Sequence, residues 1–205
     1  MGRAVRAVLD LAAGRPRTRP GGGGGRPVNA RVRLEASYPH SVDRVWRALT
    51  DPALIERWIE MSTDFQPILG RPFRFWCEVP PDMTDWGGVV ECKVLDIEAP
   101  RRMVWSWKDS WSWTRFPAPT RVEWTLAPER AGTLLVLEHT RFDGPGGERL
   151  ASMLRGGWRG MLARTLPTLL AGAEASAEVS DRSDDRPMAH PGVVPGELRE
   201  QGEAP

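Results

Sequence analysis

The sequence predicts a layered α+β domain in which a curved antiparallel sheet wraps one long C-terminal helix. Residues 145–171 repeat apolar side chains at spacings of three and four, which forms one continuous apolar stripe on a helix. Within residues 72–142 apolar side chains recur at every second position instead, as they do in half-buried strands. A sheet that curves around the helix would cover both apolar surfaces, so the two patterns together predict this layered arrangement.

One strand and two short helices are predicted before this sheet. Residues 31–38 alternate apolar and polar side chains, which predicts the first strand. Ser41 and Asp51 each precede an amphipathic segment, where their side-chain oxygens can cap the first turn of a helix. Pro52 suits the first helical position after Asp51, because the amide that proline lacks has no partner there. We therefore expect two short helices rather than one.

Five further strands are predicted, at residues 72–79, 88–97, 102–108, 121–126 and 133–142. Pro100, Pro128 and Gly132 mark turns between them. Because the connections are short, consecutive strands are expected to pair antiparallel as a meander. One face of this sheet is aromatic and apolar, and the other face is polar.

The final helix has an expected start and an expected break. Pro145 suits its first position, and Pro167 removes a hydrogen bond, so we expect a kink between Ala163 and Pro167. Three glycines also lie inside it, Gly156, Gly157 and Gly160. Each should weaken the helix by roughly 1 kcal/mol relative to alanine. They are interpreted either as an accident of a glycine-rich composition or as the mark of a bendable lid.

Both ends of the chain are predicted to be disordered, which leaves residues 31–171 as the folded domain. Residues 1–30 hold six arginines against Asp10 and include the stretch RPRTRPGGGGGRP, in which glycine and proline oppose regular structure. Residues 172–205 are acidic and poor in large apolar side chains. A basic N-terminal arm that contacts an acidic partner is the alternative interpretation of the first segment.

Composition predicts a cytoplasmic protein that binds neither nucleic acid nor membrane. Residues 31–171 are almost neutral, whereas a nucleic-acid surface normally shows a basic face. No apolar run approaches the roughly 20 residues that span a bilayer, and the N-terminus makes a poor signal peptide. Cys77 and Cys92 fall in predicted strands, and we expect free thiols, with a cross-strand disulfide as the alternative if the strands are neighbours.

The sequence contains no strong catalytic motif, metal motif or cofactor motif, and it favours binding over catalysis. It has no GxSxG, HExxH, CxxC or Walker sequence. His139 and Glu138 are neighbours in a strand and point to opposite faces, so we expect His139 to be structural, with a general base as the alternative. Glu91 and Glu123 fall on the polar face as a solvated ladder. The side of Glu78 is open, and inside an apolar cavity its carboxyl would serve as an acid or base.

The densest unusual feature is the sequence VWSWKDSWSWTRF at residues 104–116. Trp105 and Trp107 point one way from a strand, as do Trp111 and Trp113 from the segment that follows. Three interpretations are open. These rings are a packed hairpin end, the aromatic wall of a ligand cavity, or a surface that binds a partner protein.

We predict a cavity between the sheet and the final helix, which binds a hydrophobic or aromatic small molecule without a cofactor or metal. Aromatic walls with few polar groups are how small apolar ligands are usually held. The residues predicted to line the cavity are Phe75, Trp105, Trp107 and Trp124 from the sheet, and Trp158, Met161 and Leu162 from the helix.

Several linked motifs resemble the START-like superfamily, also called SRPBCC. They are SVDRVWRALTDPALIERWI at 41–59, VVECKVLDIEAPRRMVWSW at 89–107 and GTLLVLEHTRF at 132–142. Within the superfamily, residues 31–171 look most similar to the C-terminal domain of activators of the heat-shock-protein-90 ATPase. The resemblance implies the helix-grip fold, with a cavity between sheet and helix. It also implies two alternatives to ligand binding, a co-chaperone-like protein interaction and an enzyme of the cyclase or dehydratase kind.

Overall fold

The computed structural model describes residues 30–112, 114, 116 and 118–172. The strands are β1 Val32–Tyr38, β2 Ser62–Thr63, β3 Pro72–Trp76, β4 Trp86–Glu98, β5 Arg102–Trp111, β6 Thr120–Glu129 and β7 Gly132–Thr140. The helices are α1 Val42–Thr50, α2 Pro52–Ile59 and α3 Gly147–Gly160, and α3 continues through a π-helical turn, Met161–Thr165, to residue 172. Apart from residues 30 and 172, the predicted arm and tail lie outside the described residues, as does Trp113.

The strands form one antiparallel sheet in the order β1-β7-β6-β5-β4-β3-β2, open and curved, with α3 against its apolar face. Strands β3 to β7 follow one another as a meander, as the short turns predict. Strand β1 returns beside β7, where Val32 pairs with His139 and Tyr38 pairs with Thr133. The predicted α+β helix-grip architecture is confirmed.

Local signals in the sequence place α1 and α2 correctly. The Ser41 hydroxyl accepts a hydrogen bond from the Arg44 amide at 3.3 Å, which caps α1. The Asp51 carboxylate accepts from the amides of Ala53 at 3.0 Å and Leu54 at 3.4 Å, which caps α2. Each cap satisfies amides that have no partner within the helix and contributes about 1 kcal/mol.

Helix α3 starts two residues later than predicted. Its first residue is Gly147, preceded by Gly146 in the left-handed conformation at φ 84°. A Cβ atom on Gly147 would lie 2.0 Å from the carbonyl oxygen of Phe142, so the chain enters the helix too close to the end of the sheet for any side chain. Proline at position 145 therefore precedes the first turn instead of opening it.

The break expected before Pro167 takes the form of the π-helical turn. The amide of Leu166 donates to the carbonyl of Met161, five residues earlier. In that register the carbonyl of Leu162 would face the amide that Pro167 lacks, and the Tyr38 hydroxyl donates to it instead at 2.8 Å. Strand β1 therefore supplies the hydrogen bond that proline removes from the helix.

Packing does not explain the glycine in the middle of α3. Gly156 is exposed, and a Cβ atom there would meet nothing within 4 Å. We expect Gly156→Ala to raise the free energy of unfolding by about 1 kcal/mol, because alanine lowers the backbone entropy of the unfolded chain. Urea unfolding of the full chain measures this change.

A matched variant of the same helix tests the explanation. At Gly160 a new Cβ atom would lie 2.9 Å from the Arg164 guanidinium, which must then move. Gly160→Ala should therefore gain less stability than Gly156→Ala. A loss of stability in Gly156→Ala would contradict the helix-propensity argument.

Candidate functional site

The centre of the molecule is a packed aromatic core. Trp105 and Trp124 are fully buried and meet edge to face at 5.6 Å between ring centroids. Phe75 contacts Trp105 at 5.9 Å, and Trp58 from α2 meets Trp124 at 5.8 Å. Among the described residues, the indole N–H groups of Trp105 and Trp124 have no hydrogen-bond partner. Edge-to-face contacts with other rings replace that hydrogen bond only in part.

A cavity of about 30 Å³ lies at one end of this core, between strands β4 and β5, the end of α2, and helix α3. Its lining is apolar and aromatic except for one carboxylate. The lining residues are Ile59, Met61, Trp86, Val90, Trp107, Asp109, Trp111, Met153, Leu154, Gly157, Trp158 and Met161.

Three of the seven predicted site residues line this cavity, namely Trp107, Trp158 and Met161. The other four, Phe75, Trp105, Trp124 and Leu162, are buried in the core beside it. Alternation along a strand determines which face a side chain points to. The four predicted site residues that lie on the sheet, Phe75, Trp105, Trp107 and Trp124, all point inward. The position along the strand then decides whether the side chain reaches the cavity. Trp107 lies at the cavity, whereas Trp105 lies deeper in the core, where its ring packs against that of Phe65 with 5.5 Å between ring centroids. A ligand-binding role for the seven residues stays a prediction.

The cavity is narrow but its wall is adaptable. A volume of about 30 Å³ suits one or two waters, whereas pockets for drug-sized ligands measure roughly 300–1,000 Å³. Met61, Met153 and Met161 contribute flexible thioether side chains, which repack at little cost. Gly157 presents no side chain at all. A ligand larger than a few atoms therefore enters only when these methionines change rotamer.

Asp109 is the polar group of the cavity, and sequence reasoning missed it. The predicted strand ended at residue 108, but β5 continues to Trp111. The same period of two that turns Trp105 and Trp107 inward turns Asp109 inward as well. Extending the predicted strand by one residue would have found it.

Two indoles hold the Asp109 carboxylate. The Nε1 of Trp86 donates to Oδ1 at 2.8 Å, and the Nε1 of Trp107 donates to Oδ2 at 3.4 Å. Burial raises the pKa of Asp109 to about 6, although these two hydrogen bonds act in the opposite direction by stabilising the anion. Asp109 is the one ionisable side chain among the described lining residues.

The aromatic wall beside Asp109 is built by strand pairing. Trp86 and Trp111 are register partners at the ends of β4 and β5, and their rings stack at 5.7 Å with an interplanar angle of 22°. On the other side, Trp107 meets Trp158 of α3 edge to face at 5.3 Å. Four tryptophans thus surround one carboxylate.

His139 lies behind this wall, fully buried in a hydrogen-bond chain with only one consistent direction. The Trp158 indole can only donate, so Nδ1 of His139 accepts at 3.2 Å and its proton is on Nε2. Nε2–H then donates to the Thr120 hydroxyl at 2.8 Å, which donates to the carbonyl of Trp107 at 2.8 Å. Burial lowers the pKa of His139 to about 3. The imidazole is therefore a neutral structural group, as the sequence predicts.

The other carboxylates singled out in the sequence lie outside the cavity. Glu78 is exposed. Glu91 accepts from Lys108 at 2.7 Å, and Glu123 accepts from Arg102 at 2.6 Å and Arg121 at 3.1 Å. The solvated ladder predicted for the polar face is present.

Three further features concern the described residues as a whole. Cys77 and Cys92 are free thiols, half-buried and buried, and burial raises the pKa of both. Within this part of the chain no group of three or more His, Cys, Asp or Glu side chains is placed to hold a metal ion. No described helix combines the length and the apolar character that crossing a bilayer requires.

A curved antiparallel sheet packs around a long C-terminal helix and encloses an aromatic interior. This architecture defines a START-like protein of the SRPBCC superfamily. Within it, the model of the family described as activator of Hsp90 ATPase homolog 1-like protein matches residues 39–171. This match covers more than half of the chain, and the chain belongs to that family.

Several solved structures are similar. The Mesorhizobium loti protein MLL2253 is 32% identical, with 69% of this chain and 96% of that chain covered at a TM-score of 0.58. A Bordetella parapertussis protein is 26% identical, with 83% and 93% covered at a TM-score of 0.52. DynU16, a protein of the dynemicin biosynthetic locus, is 26% identical at a TM-score of 0.53, and the match covers 68% of this chain but 48% of DynU16. A comparison with curated proteins finds no significant match.

Proposed function

We propose that this protein binds a hydrophobic or aromatic small molecule between the sheet and α3, and catalyses no reaction on it. The observation that supports this most is the cavity itself, walled by four tryptophans and by movable methionines. Aromatic side chains supply large apolar contact area, and methionines adapt to the shape of the occupant. The similarity to a protein of a biosynthetic locus is consistent with a small-molecule role.

Helix α3 is the element that would open for the ligand. It contributes Met153, Gly157, Trp158 and Met161 to the wall, and it combines internal glycines with a π-helical turn. Both features weaken the helix locally. We include in the proposal that residues 31–171 form the complete binding unit and that it works in the cytoplasm, which the free thiols support.

The proposal predicts saturable quenching of tryptophan fluorescence when the full chain is titrated with indole or naphthalene. Trp107→Phe and Trp158→Phe should each weaken binding about fivefold to tenfold, because each removes apolar contact and one hydrogen bond of the wall. Trp58→Phe is the matched control, since it removes a fully buried indole that neither lines the cavity nor belongs to the predicted site. Absence of saturable quenching by any such probe would remove the proposal.

A protein-interaction role of the co-chaperone kind is the second candidate. The family description supports it, and so do four exposed apolar side chains, Ile68, Leu69, Trp76 and Leu95. Exposed large apolar side chains are typical of protein contacts. Capture of heat-shock protein 90 by the purified chain, with stimulation of its ATPase, would favour this role over ligand binding.

The cyclase or dehydratase alternative depends on a buried acid or base. Asp109 is such a group, whereas Glu78 is exposed and His139 already uses both ring nitrogens. Proton transfer at two points of a substrate needs a second acid or base. The described lining residues supply one carboxylate alone, which favours binding.

A further inference from the structure

We propose that the cavity selects an organic cation, a protonated amine on a small aromatic or apolar body, and that Asp109 binds its ammonium group. This inference rests on the proposed function, since it names the class of ligand for the same cavity. It depends on three properties of the site: its charge, its aromatic wall and its size.

The charge of the site is a single uncompensated carboxylate. The side chains that donate to Asp109 within the described residues are two neutral indoles, and no Arg, Lys or His of that part of the chain forms an ion pair with it. Burial of an unpaired carboxylate opposes ionisation, which agrees with its raised pKa. A cationic ligand would restore the favourable charge balance, whereas a carboxylate ligand would be repelled.

One of the donors to the carboxylate is held only weakly. Its Oδ1 accepts from Trp86 at 2.8 Å, but the contact of Oδ2 with Trp107 is long, at 3.4 Å. Backbone hydrogen bonds at Ser110 and Trp111 also stabilise the anion. An ammonium N–H directed at Oδ2 would make a shorter, charge-assisted hydrogen bond in place of the Trp107 contact.

The aromatic wall suits the body of the same ligand. Trp86 and Trp111 stack on each other, and Trp107 and Trp158 meet edge to face. All four line the cavity and offer an aromatic or apolar body a large contact area. The preference for a cation over a neutral ligand of the same shape therefore depends on the charge of Asp109.

The size of the cavity suits the head group. An ammonium group is about as large as a water molecule, and the cavity of about 30 Å³ takes one or two waters. The apolar body of the ligand would then displace Met153 and Met161, the movable side chains on the α3 side.

Three ligands of one shape and different charge test the inference, namely benzylamine, benzyl alcohol and benzoate. They are titrated into the full chain at about pH 8, above the pKa of Asp109 and below that of an alkylammonium group. We expect the amine to bind at least about tenfold more tightly than the alcohol, and benzoate to bind most weakly. Asp109→Asn should abolish the preference for the amine.

A matched variant removes the same charge elsewhere. Glu91→Gln lies on the solvent face of β4, where Glu91 pairs with Lys108, and it should keep the preference for the amine. Equal binding of amine and alcohol by the unsubstituted protein would overturn the inference while leaving the proposed function intact. So would an Asp109→Asn variant that still prefers the amine. Failure of all three ligands and of the apolar probes to bind would remove both.

Discussion

Acidification is expected to destabilise the protein steeply through His139, by about 1.4 kcal/mol for each pH unit between 6.5 and 3. Burial lowers the pKa of its imidazole from 6.5 to about 3 in the folded state. Between those two values the unfolded chain binds a proton that the folded protein does not bind. The stability is therefore complete above pH 6.5 and is lost progressively as the pH falls, by about 5 kcal/mol in total.

The hydrogen-bond chain explains why the folded state excludes that proton. Nδ1 of His139 accepts from the Trp158 indole, so protonation there sets two donors against each other. The ring is also fully buried between Trp107 and Trp158, with no solvent to stabilise its charge. Loss of this contact would separate α3 from the sheet beside the cavity.

Urea unfolding at a series of pH values measures this effect. His139→Gln is the informative variant, because glutamine offers both an acceptor and a donor but does not titrate. It should flatten the acid side of the stability profile, while His40→Gln, in the turn after β1, should leave the profile steep. Parallel profiles for the unsubstituted protein and His139→Gln would show that His139 is not responsible.

Asp109→Asn is expected to stabilise the protein by about 2 kcal/mol at about pH 8. Burial raises the pKa of this carboxyl from 3.8 to about 6, so its contribution to stability is complete below pH 3.8 and is lost as the pH rises through 6. The full shift corresponds to about 3 kcal/mol, and the partial exposure of Asp109 reduces the expected value. Asparagine keeps an acceptor for Trp86 without the charge.

Comparison of two pH values identifies the charge as the cause. The difference between Asp109→Asn and the unsubstituted protein should be largest near pH 8 and should become small near pH 4, where the aspartate of the folded protein is protonated. Glu91→Gln, on the solvent face, should change stability little at either pH. If Asp109→Asn were less stable than the unsubstituted protein at pH 8, the carboxylate would be a structural group and not an unpaired one.

His139 and the half-buried Asp109 have different roles at the site. The polar atoms of His139 are all paired within the protein, and its burial ties α3 to β6 and β7. The charge of Asp109 is unpaired among the described residues and faces a cavity. A group that lowers stability in the empty protein is a good candidate for a binding function, because perturbed ionisable groups concentrate at functional sites.

Much of the fold could be predicted because it depends on local chemistry. Ser41 and Asp51 cap their helices through amides two or three residues away, so the sequence alone contains both partners. The inward direction of Trp105, Trp107 and Trp124 follows from the period of a strand, which needs no knowledge of the neighbouring strands. The irregularity before Pro167 follows from the missing amide of proline.

The composition of the site was decided by contacts between residues distant in sequence. Trp86 reaches Asp109 only because β4 pairs with β5 in a register that sets Trp86 opposite Trp111. Trp105 and Trp107 have the same pattern in sequence but different surroundings. Phe65 and Trp124 pack against Trp105, whereas Trp107 contacts Trp158 and borders the cavity. Periodicity determines the face of a side chain, whereas strand register and helix position determine its depth and its neighbours. The sequence by itself therefore determined the helix-grip fold and its aromatic face, and only the tertiary structure decided that a lone carboxylate lies among four tryptophans.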